Sequence, residues 1–363
     1  MSKFITKKEI KSAVKIAGVY TGLILGAGFA SGRELTDFFA RYGVISYAGI
    51  VLSGIIFALC GWAVTDICVV NKIDSYEDFS KLIFGKRLGV FIEYAVALFL
   101  IVLFATMLAA SGAAFREAFK LPDMLGVMLC GVFCLVIFLF GAEAFVRINV
   151  VLAPVMVVGG VFIGLYSFFT ETVPVFKLSG GALVYNWVTQ SLVYACYNIV
   201  TAVSVLSCMR EFTVSRKAAK YGGIAGGAAL SLLGAALLIP LIVNYNSVSA
   251  YEIPMMYLVN MYSRHVKAVY MTVLLSAIVT TAVGNGYAFV LWLGGKVNVK
   301  KIYIKIFVTV LAVGMSSFGF SSFVGRIYPL FGFIGVLQIV RIIWFFARAS
   351  ILKFFCNARK INV

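Results

Sequence analysis

Charged side chains are scarce in this sequence. They make up 12% of its 363 residues, whereas 62% are hydrophobic and the mean hydropathy is +1.03. An average soluble domain carries about 25% charged residues. A soluble fold could not bury this much apolar surface, because part of the surface of any folded chain stays exposed. The scarcity of charge excludes an ordinary soluble domain and favours a chain that crosses a lipid bilayer many times.

Residues that usually build metal centres, disulfides and catalytic sites are also scarce. His265 is the single histidine, and most of the seven cysteines lie in apolar segments, where a free cysteine packs as a small hydrophobic residue. Cys130 and Cys134 share a helix face, but no histidine or second cysteine pair accompanies them. The apolar segments contain neither paired central aspartates nor a Ser–His arrangement. The sequence predicts no cysteine-based metal site, no disulfide framework, no cofactor and no enzyme activity.

The net charge of +17 comes from 31 Lys and Arg residues against 14 Asp and Glu residues. The basic residues lie in short clusters between apolar runs. They form no continuous basic face and do not alternate with aromatic residues, as a nucleic-acid-binding surface would require. Nucleic acid is therefore excluded as a partner, and the lipid bilayer is predicted in its place.

Ten apolar segments are long enough to cross a bilayer, since a membrane helix needs about 20 mostly apolar residues. They lie near residues 13–40, 44–69, 89–114, 123–142, 148–169, 184–209, 219–244, 266–294, 302–319 and 323–347. With the amino terminus inside, 23 of the 31 Lys and Arg residues fall on the cytoplasmic side, as the positive-inside rule requires. The prediction is an all-α protein in which residues 13–347 form a ten-helix membrane domain. Residues 1–12 and 348–363 then form cytoplasmic ends.

The first span contains an unusual stretch from Gly22 to Glu34. Four glycines and a serine interrupt the apolar helix near its middle, and Arg33, Glu34 and Asp37 follow before the span ends. Glycine weakens a helix, and unwound backbone at membrane depth persists only beside a cavity or within the protein. A break would free amides that suit an anion and carbonyls that suit a cation. The alternative is close packing by small residues.

The sixth span has polar residues at its centre, namely Tyr197, Asn198 and Thr201. Unpaired polar groups are costly at that depth, and Asn198 could stabilise a second break. Spans one and six are corresponding members of two five-helix halves, about 13–169 and 184–347. Because five is odd, the halves cross the membrane in opposite senses, which is the inverted-repeat arrangement of many transporters. We therefore predict broken helices one and six around one binding site.

The eighth span carries adjacent Thr280 and Thr281 hydroxyls, with the Ala277 carbonyl one turn earlier. These oxygens are suitable ligands for Na⁺. Threonine hydroxyls in helices also bond back to carbonyls of their own helix, so the pattern alone leaves both interpretations open.

Together these features resemble the amino acid–polyamine–organocation superfamily with its LeuT-type five-plus-five fold. The segment from Gly26 to Glu34, with Phe38-Phe39 and Tyr42-Gly43 after it, is similar to the YkvI-type bacterial membrane proteins. The resemblance implies a secondary transporter in the bacterial cytoplasmic membrane. It also implies a Na⁺ site with five ligands, which map to Gly22, Leu25, Ala277, Thr280 and Thr281. Some proton-coupled relatives place a lysine from span five in this site, but this chain has no Lys or Arg between Arg147 and Lys177.

The resemblance further implies a small polar organic solute, such as an amino acid, held at the helix breaks. The predicted contacts are Ala27, Gly28, Phe29, Ala30, Thr106, Tyr197, Asn198 and Thr201. Span ten lacks the acid that pairs with a span-one arginine in some relatives, so an outer gate is predicted from Arg33, Glu34 and Arg326. Proton coupling and a solute sensor that binds without transport remain alternatives, and the sequence does not indicate an oligomeric state.

Overall fold

The computed structural model describes residues 5–170, 186–251, 253–320 and 328–361. Throughout these ranges the regular structure is helical, and no β-strand occurs in them. The long helices are α1 (Lys7–Ile24), α4 (Ser46–Asn71), α6 (Lys86–Phe119), α7 (Asp123–Phe140), α8 (Ala142–Thr170), α9 (Asn186–Leu206), α10 (Arg216–Val243), α13 (Arg264–Lys296), α14 (Lys301–Ser316) and α15 (Tyr328–Ile361). The short helices are α2 (Ala27–Ala30), α3 (Arg33–Phe38), α5 (Tyr76–Phe84), α11 (Tyr245–Val248) and α12 (Pro254–Asn260).

Eight of the described helices are long and apolar enough to cross a membrane, and they correspond to every predicted span except the first and the ninth. The first span is interrupted after Ile24, and α1 carries five charged residues near its start. The ninth span forms α14, which has only 16 residues. The all-helical membrane architecture is therefore confirmed, while the count of ten crossings stays a prediction.

The amino-terminal helix begins where the sequence provides a capping box. The Glu9 amide donates to Thr6 Oγ1 at 3.2 Å, and the Thr6 amide donates to Glu9 Oε2 at 2.8 Å. This reciprocal pair satisfies two backbone donors that a helix start leaves free. The hydrogen bond from the Thr6 backbone also lowers the pKa of Glu9.

Glycines allow α10 to approach two neighbours closely. A side chain at Gly223 or Gly227 would collide with the backbone of α4, and a side chain at Gly222 would meet Ile16 of α1. Small residues at such contacts let helix backbones come together, which is how helices associate in lipid. Helix α1 thereby packs against α8, α9, α10 and α13.

The end of α13 lies on the side of the amino terminus, because Leu291 borders a pocket with Phe212, whose carbonyl accepts a hydrogen bond from Ser12 of α1. The start of α13 marks the opposite side. Helix α5 lies on the amino-terminal side, where Lys296 Nζ is 2.8 Å from Glu77 Oε2 and 2.7 Å from Glu93 Oε1. Helices α11 and α12 lie on the opposite side. The hydrogen bonds from Lys296 and Lys81 lower the pKa of Glu77.

Candidate functional site

The first span is interrupted twice, at the glycine-rich segment that the sequence indicates. Helix α1 ends at Ile24, and Gly26 is extended, with ψ of −177°. After one turn of helix, Gly32 adopts φ of +80°, a left-handed conformation that glycine reaches without strain. The predicted break of helix one is therefore present, and a second bend follows it.

The break frees two carbonyl groups of α1. The Gly26 amide donates to Ile24 O at 2.7 Å instead of to Gly22 O. The next amide, Ala27 N, is 3.5 Å from the sulfur of Met107 instead of bonding to Leu23 O. The Gly22 and Leu23 oxygens thus lack their usual helical partners and become available to groups outside α1.

Helix α13 meets these freed carbonyls with a hydroxyl. Thr281 Oγ1 lies 3.0 Å from Gly22 O and 3.0 Å from Leu23 O. The neighbouring Thr280 hydroxyl bonds within its own helix, at 2.9 Å from Ser276 O and 3.2 Å from Ala277 O. Of the predicted ion ligands, Gly22, Ala277, Thr280 and Thr281 are therefore close together.

Leu25, the remaining predicted ion ligand, lies at the break itself. Its amide donates to Thr21 O at 2.9 Å. The carbonyl that contacts Thr281 beside that of Gly22 belongs to Leu23. This arrangement follows from the end of the helix at Ile24, which leaves Leu23 without an amide donor four residues later.

Asn149 of α8 completes this cluster, and sequence reasoning missed it. Its amide nitrogen donates to Phe145 O at 2.9 Å, which directs the oxygen Oδ1 towards Gly22. A Cβ atom built on Gly22 would lie 3.2 Å from Asn149 Cγ and 3.3 Å from Thr280 Cβ. Asn149 is 1% exposed, and its Oδ1 has no hydrogen-bond partner. A buried carbonyl oxygen in this state is a ready cation ligand, because buried polar groups are normally paired.

The predicted break of the sixth span is wrong. Helix α9 runs without interruption through Tyr197, Asn198 and Thr201. Asn198 Nδ2 donates to Tyr194 O at 3.0 Å, and Thr201 Oγ1 donates to Asn198 O at 2.8 Å. These side chains satisfy their donors on their own helix, so their polarity does not require the backbone to unwind.

The predicted ion ligands Gly22, Ala277, Thr280 and Thr281, together with Leu23 and Asn149, are here called the ion cluster. A small cavity lies beside it, between α1, α3, α6, α9, α13 and the start of α15. Its volume is about 20 Å³, which is room for one water molecule. The lining residues are Leu23, Ile24, Gly26, Glu34, Phe99, Leu103, Met107, Tyr197, Asn198, Thr201, Thr281, Asn285 and Tyr328. Thr281 therefore belongs both to the cavity and to the ion cluster.

The structure brings only some of the predicted solute contacts to this cavity. Tyr197, Asn198 and Thr201 line it, whereas Ala27, Gly28, Phe29 and Ala30 are buried in the packing of α2. The Phe29 ring tip would lie 3.4 Å from a Cβ atom on Gly234 of α10, so the ring packs away from the cavity.

Thr106 is also outside the cavity lining. Its hydroxyl donates to Val102 O at 2.7 Å, within its own helix, and Met107 lines the cavity in its place. Asn285 is a further polar lining residue that sequence reasoning did not assign. It is 1% exposed, and its Oδ1 has no hydrogen-bond partner.

Arg33 and Glu34, two members of the predicted outer gate, point to different places in the structure. Glu34 turns into the cavity, because the left-handed Gly32 redirects α3. Arg33 instead pairs with Asp37 at 3.0 Å and donates from Nη1 to Ser249 O and Tyr251 O, both at 3.1 Å. Arg326 lies outside the described residues.

On the opposite side, the α11–α12 segment covers the bent part of the first span. The Met255 amide donates to Ser31 O at 2.9 Å, and the Met255 and Leu241 side chains lie over Gly32. The α11–α12 segment, here called the lid, therefore lies over the bend at Gly32 on that side. Through the hydrogen bonds from Nη1, Arg33 connects the first span to the lid.

The amino-terminal side is less closed. A vestibule of about 250 Å³ lies there, bordered by α5 and by the ends of α6, α9 and α13. On α9 and α13 it begins three residues beyond the cavity, at Ser204 after Thr201 and at Ala288 after Asn285. On those two helices one turn of side chains separates the cavity from the vestibule. On α6 the neighbouring residues Phe99 and Leu100 line the cavity and the vestibule, respectively.

Comparisons with known proteins agree with this architecture. No family model matches the chain. The membrane protein YkvI of Bacillus subtilis (strain 168) is 27% identical over 331 residues, which is 90% of this chain and 93% of YkvI. A Na⁺-coupled sialic acid symporter, solved substrate-bound and outward-open, superposes with a TM-score of 0.62 and 14% identity. That alignment covers 91% of this chain and 76% of the symporter.

A second solved structure gives the same result. Mhp1, a nucleobase-cation-symport-1 family transporter in a closed conformation, superposes with a TM-score of 0.58 and 15% identity, over 89% of this chain and 74% of Mhp1. The chain has the LeuT-type transporter fold. The predicted similarity to YkvI and the predicted LeuT-type fold class are thereby confirmed, without the second helix break.

Proposed function

We propose that this LeuT-type chain is a secondary transporter that couples Na⁺ to the movement of a small polar organic solute, such as an amino acid, by alternating access. The observation that carries the proposal is the contact between Thr281 and the freed carbonyls of Gly22 and Leu23. All three atoms in this contact are oxygens, and the contact connects the interrupted helix α1 to α13. Hard cations such as Na⁺ are bound by oxygen ligands of this kind.

The surroundings of Thr281 support a cation at this point. Asn149 Oδ1 is buried without a hydrogen-bond partner, and the Thr280 hydroxyl keeps its lone pairs while donating to its own helix. Three helices, α1, α8 and α13, thus direct oxygen atoms to one place. An ion held by elements that move relative to each other favours one conformation over another, which is the physical basis of coupling.

The two sides of the cavity support alternating access. The α11–α12 lid closes one side through Met255 and Arg33, while a vestibule approaches from the side of the amino terminus. With the amino terminus in the cytoplasm, as the Lys and Arg distribution predicts, this conformation faces inward. Residues 13–169 and 184–347 would then rock against each other around the site.

The test is thermal unfolding of the full-length protein in Na⁺ and in K⁺ at equal ionic strength. We expect Na⁺ to raise the unfolding temperature, because a ligand that binds only the folded state stabilises it. Thr281→Ala should abolish the Na⁺ effect. Thr272→Ala is the matched control, since Thr272 lies on the same helix with an exposed hydroxyl on Ala268 O. Equal unfolding temperatures in Na⁺ and K⁺ would overturn the sodium site.

Transport is tested separately, by uptake of labelled amino acids and of labelled amines into proteoliposomes under an inward Na⁺ gradient. Uptake that requires the gradient and is lost in Thr281→Ala supports the proposal. Uptake driven equally by a proton gradient and unaffected by Thr281→Ala would establish the proton-coupled alternative. Binding of solute without flux would establish the sensor.

A further inference from the structure

The central cavity contains one acidic side chain, that of Glu34. Glu34 is 5% exposed, and its Oε2 has no hydrogen-bond partner. Its other oxygen is directed at Gly28, and its Cδ would lie 2.8 Å from a Cβ atom built there. Across the ranges that the structure describes, no Lys or Arg forms an ion pair with Glu34. An ionised carboxylate in such a place is costly unless a cation or several hydrogen bonds accompany it.

Aromatic rings line the cavity together with this carboxylate. Tyr197 is 5.7 Å from Phe38 and 5.5 Å from Tyr328, measured between ring centroids, and Phe99 is 5.8 Å from Tyr328. Tyr197, Tyr328 and Phe99 all line the cavity with Glu34. The Tyr197 hydroxyl is buried beside the Glu34 carboxylate, within interaction range of it.

A carboxylate beside several aromatic faces is the arrangement that recognises a positively charged nitrogen. The ring faces attract a cation through their quadrupoles, and this attraction grows when the site is desolvated. The carboxylate adds a charge-assisted contact to the same group. We infer that the solute of this transporter carries an ammonium or quaternary ammonium group, which binds between Glu34 and the rings of Tyr197, Tyr328 and Phe99. The inference rests on the proposed function and names its substrate class.

The same geometry opposes a solute recognised through a carboxylate. No Lys, Arg or His is found among the described residues that line the cavity. The Glu34 carboxylate lies against Gly28, in the turn of helix that would otherwise offer its amides to an anion. A second carboxylate there would meet a like charge at low dielectric, where repulsion is strong. Amines are therefore preferred over the amino acids that correspond to them.

Na⁺ and the amine have separate sites in this arrangement. The ion cluster around Thr281 consists of carbonyl, hydroxyl and amide oxygens, without a formal charge. The formal negative charge and the aromatic rings lie on the cavity side, with Glu34. Separate ligands for each ion reduce the repulsion between two cations in adjacent sites. The Glu34 carboxylate lies on the side where the organic cation would bind.

The experiment compares matched compounds by their effect on thermal unfolding of the full-length protein in Na⁺. The first pair is choline and its neutral isostere 3,3-dimethylbutan-1-ol. The second pair is tyramine and tyrosine, which differ by a carboxylate. We expect choline, tyramine or both to raise the unfolding temperature, with no shift from the neutral isostere or from tyrosine at the same concentration. Titration of the shift gives the affinity.

Variants distinguish a loss of amine binding from a general loss of protein stability. Glu34→Gln should weaken amine binding at least about tenfold, since it removes a desolvated charge from the contact. Tyr328→Leu should weaken it as well, by removing one ring face. Glu143→Gln is the matched control, because Glu143 forms an exposed pair with Arg147 at 3.1 Å. It should leave amine affinity unchanged.

Three outcomes would overturn the inference. They are equal shifts from choline and its neutral isostere, a larger shift from tyrosine than from tyramine, and the absence of any shift from either amine. Failure of the proposed sodium coupling has a different signature. In that case the amines still bind through Glu34, but Na⁺ does not alter unfolding and Thr281→Ala has no effect.

Discussion

The side-chain oxygen of Asn149 is directed at the α-carbon of Gly22, where the first span approaches its break. This contact joins α8 to α1 at the ion cluster. We predict that Asn149→Leu lowers Na⁺ affinity about tenfold, because one oxygen ligand is lost while the volume is kept. Asn149→Asp should raise the affinity through its added charge. Na⁺-dependent thermal unfolding measures both, and an unchanged response in Asn149→Leu would reduce the role of Asn149 to packing.

Gly22 is predicted to tolerate no side chain. A methyl group there would collide with Asn149 Oδ1 and crowd Thr280, so Gly22→Ala should destabilise the fold by about 1–3 kcal/mol. Gly314 offers a matched control in α14, because no atom lies within 4 Å of a Cβ atom built there. Gly314→Ala should be neutral or stabilise the fold by up to about 1 kcal/mol. Denaturant unfolding in mixed micelles compares the two variants, and similar effects would contradict the prediction.

Arg33 is predicted to hold the lid in its closed position. Its Nη1 donates to two lid carbonyls, those of Ser249 and Tyr251, while its Nε pairs with Asp37. Arg33→Lys keeps the charge but loses the planar donor group, so it should loosen the lid. Hydrogen–deuterium exchange of residues 245–260 should become faster than in the unmodified protein. Unchanged exchange in Arg33→Lys would show that Met255 alone closes this side.

Helix α5 is predicted to be held by a pH-sensitive contact. Hydrogen bonds from Lys296 and Lys81 lower the pKa of Glu77 in the folded protein. A lowered pKa contributes stability above the unfolded-state value, and this stability is lost as the pH falls through the folded value. Glu77→Gln should therefore lower the unfolding temperature at pH 7, and the difference should shrink below about pH 4.

Thermal unfolding of Glu77→Gln and of the unmodified protein between pH 7 and pH 3.5 measures this difference. Glu143→Gln serves as the control, since its ion pair is exposed on both sides and exposed pairs contribute little. A difference for Glu77→Gln that stays constant across this range would argue against the Lys296 contact as its cause.

The break in the first span could be predicted because glycine acts locally. Gly26 and Gly32 occupy the two positions where the backbone departs from the helix, and Gly32 has the left-handed φ that other residues avoid. The apolar runs similarly predict the membrane helices, because lipid requires long apolar segments. Helix breaks at glycine and apolar membrane spans can therefore both be predicted from the sequence alone.

The rest of the site depends on how helices are rotated against one another. Asn198 and Thr201 looked like signs of a second break, yet they bond to carbonyls of their own helix. Glu34 looked like a gate residue, but the bend at Gly32 turns it inward. Asn149 meets Gly22 across 127 positions of sequence, which no local pattern indicates. The rotation of each helix and its contacts with distant residues decide where these side chains point, and neither can be predicted from local sequence.

The central cavity, at about 20 Å³, cannot admit an organic solute without separation of the helices around it. Affinity in this conformation is reduced by the free energy of that separation. Solute binding and the conformational change form a closed thermodynamic cycle. If one conformation binds solute more weakly than another, bound solute shifts the equilibrium towards the other conformation by the same factor. Binding of the proposed solute must therefore shift the population away from the conformation seen here. The narrow cavity makes this the low-affinity conformation for that solute.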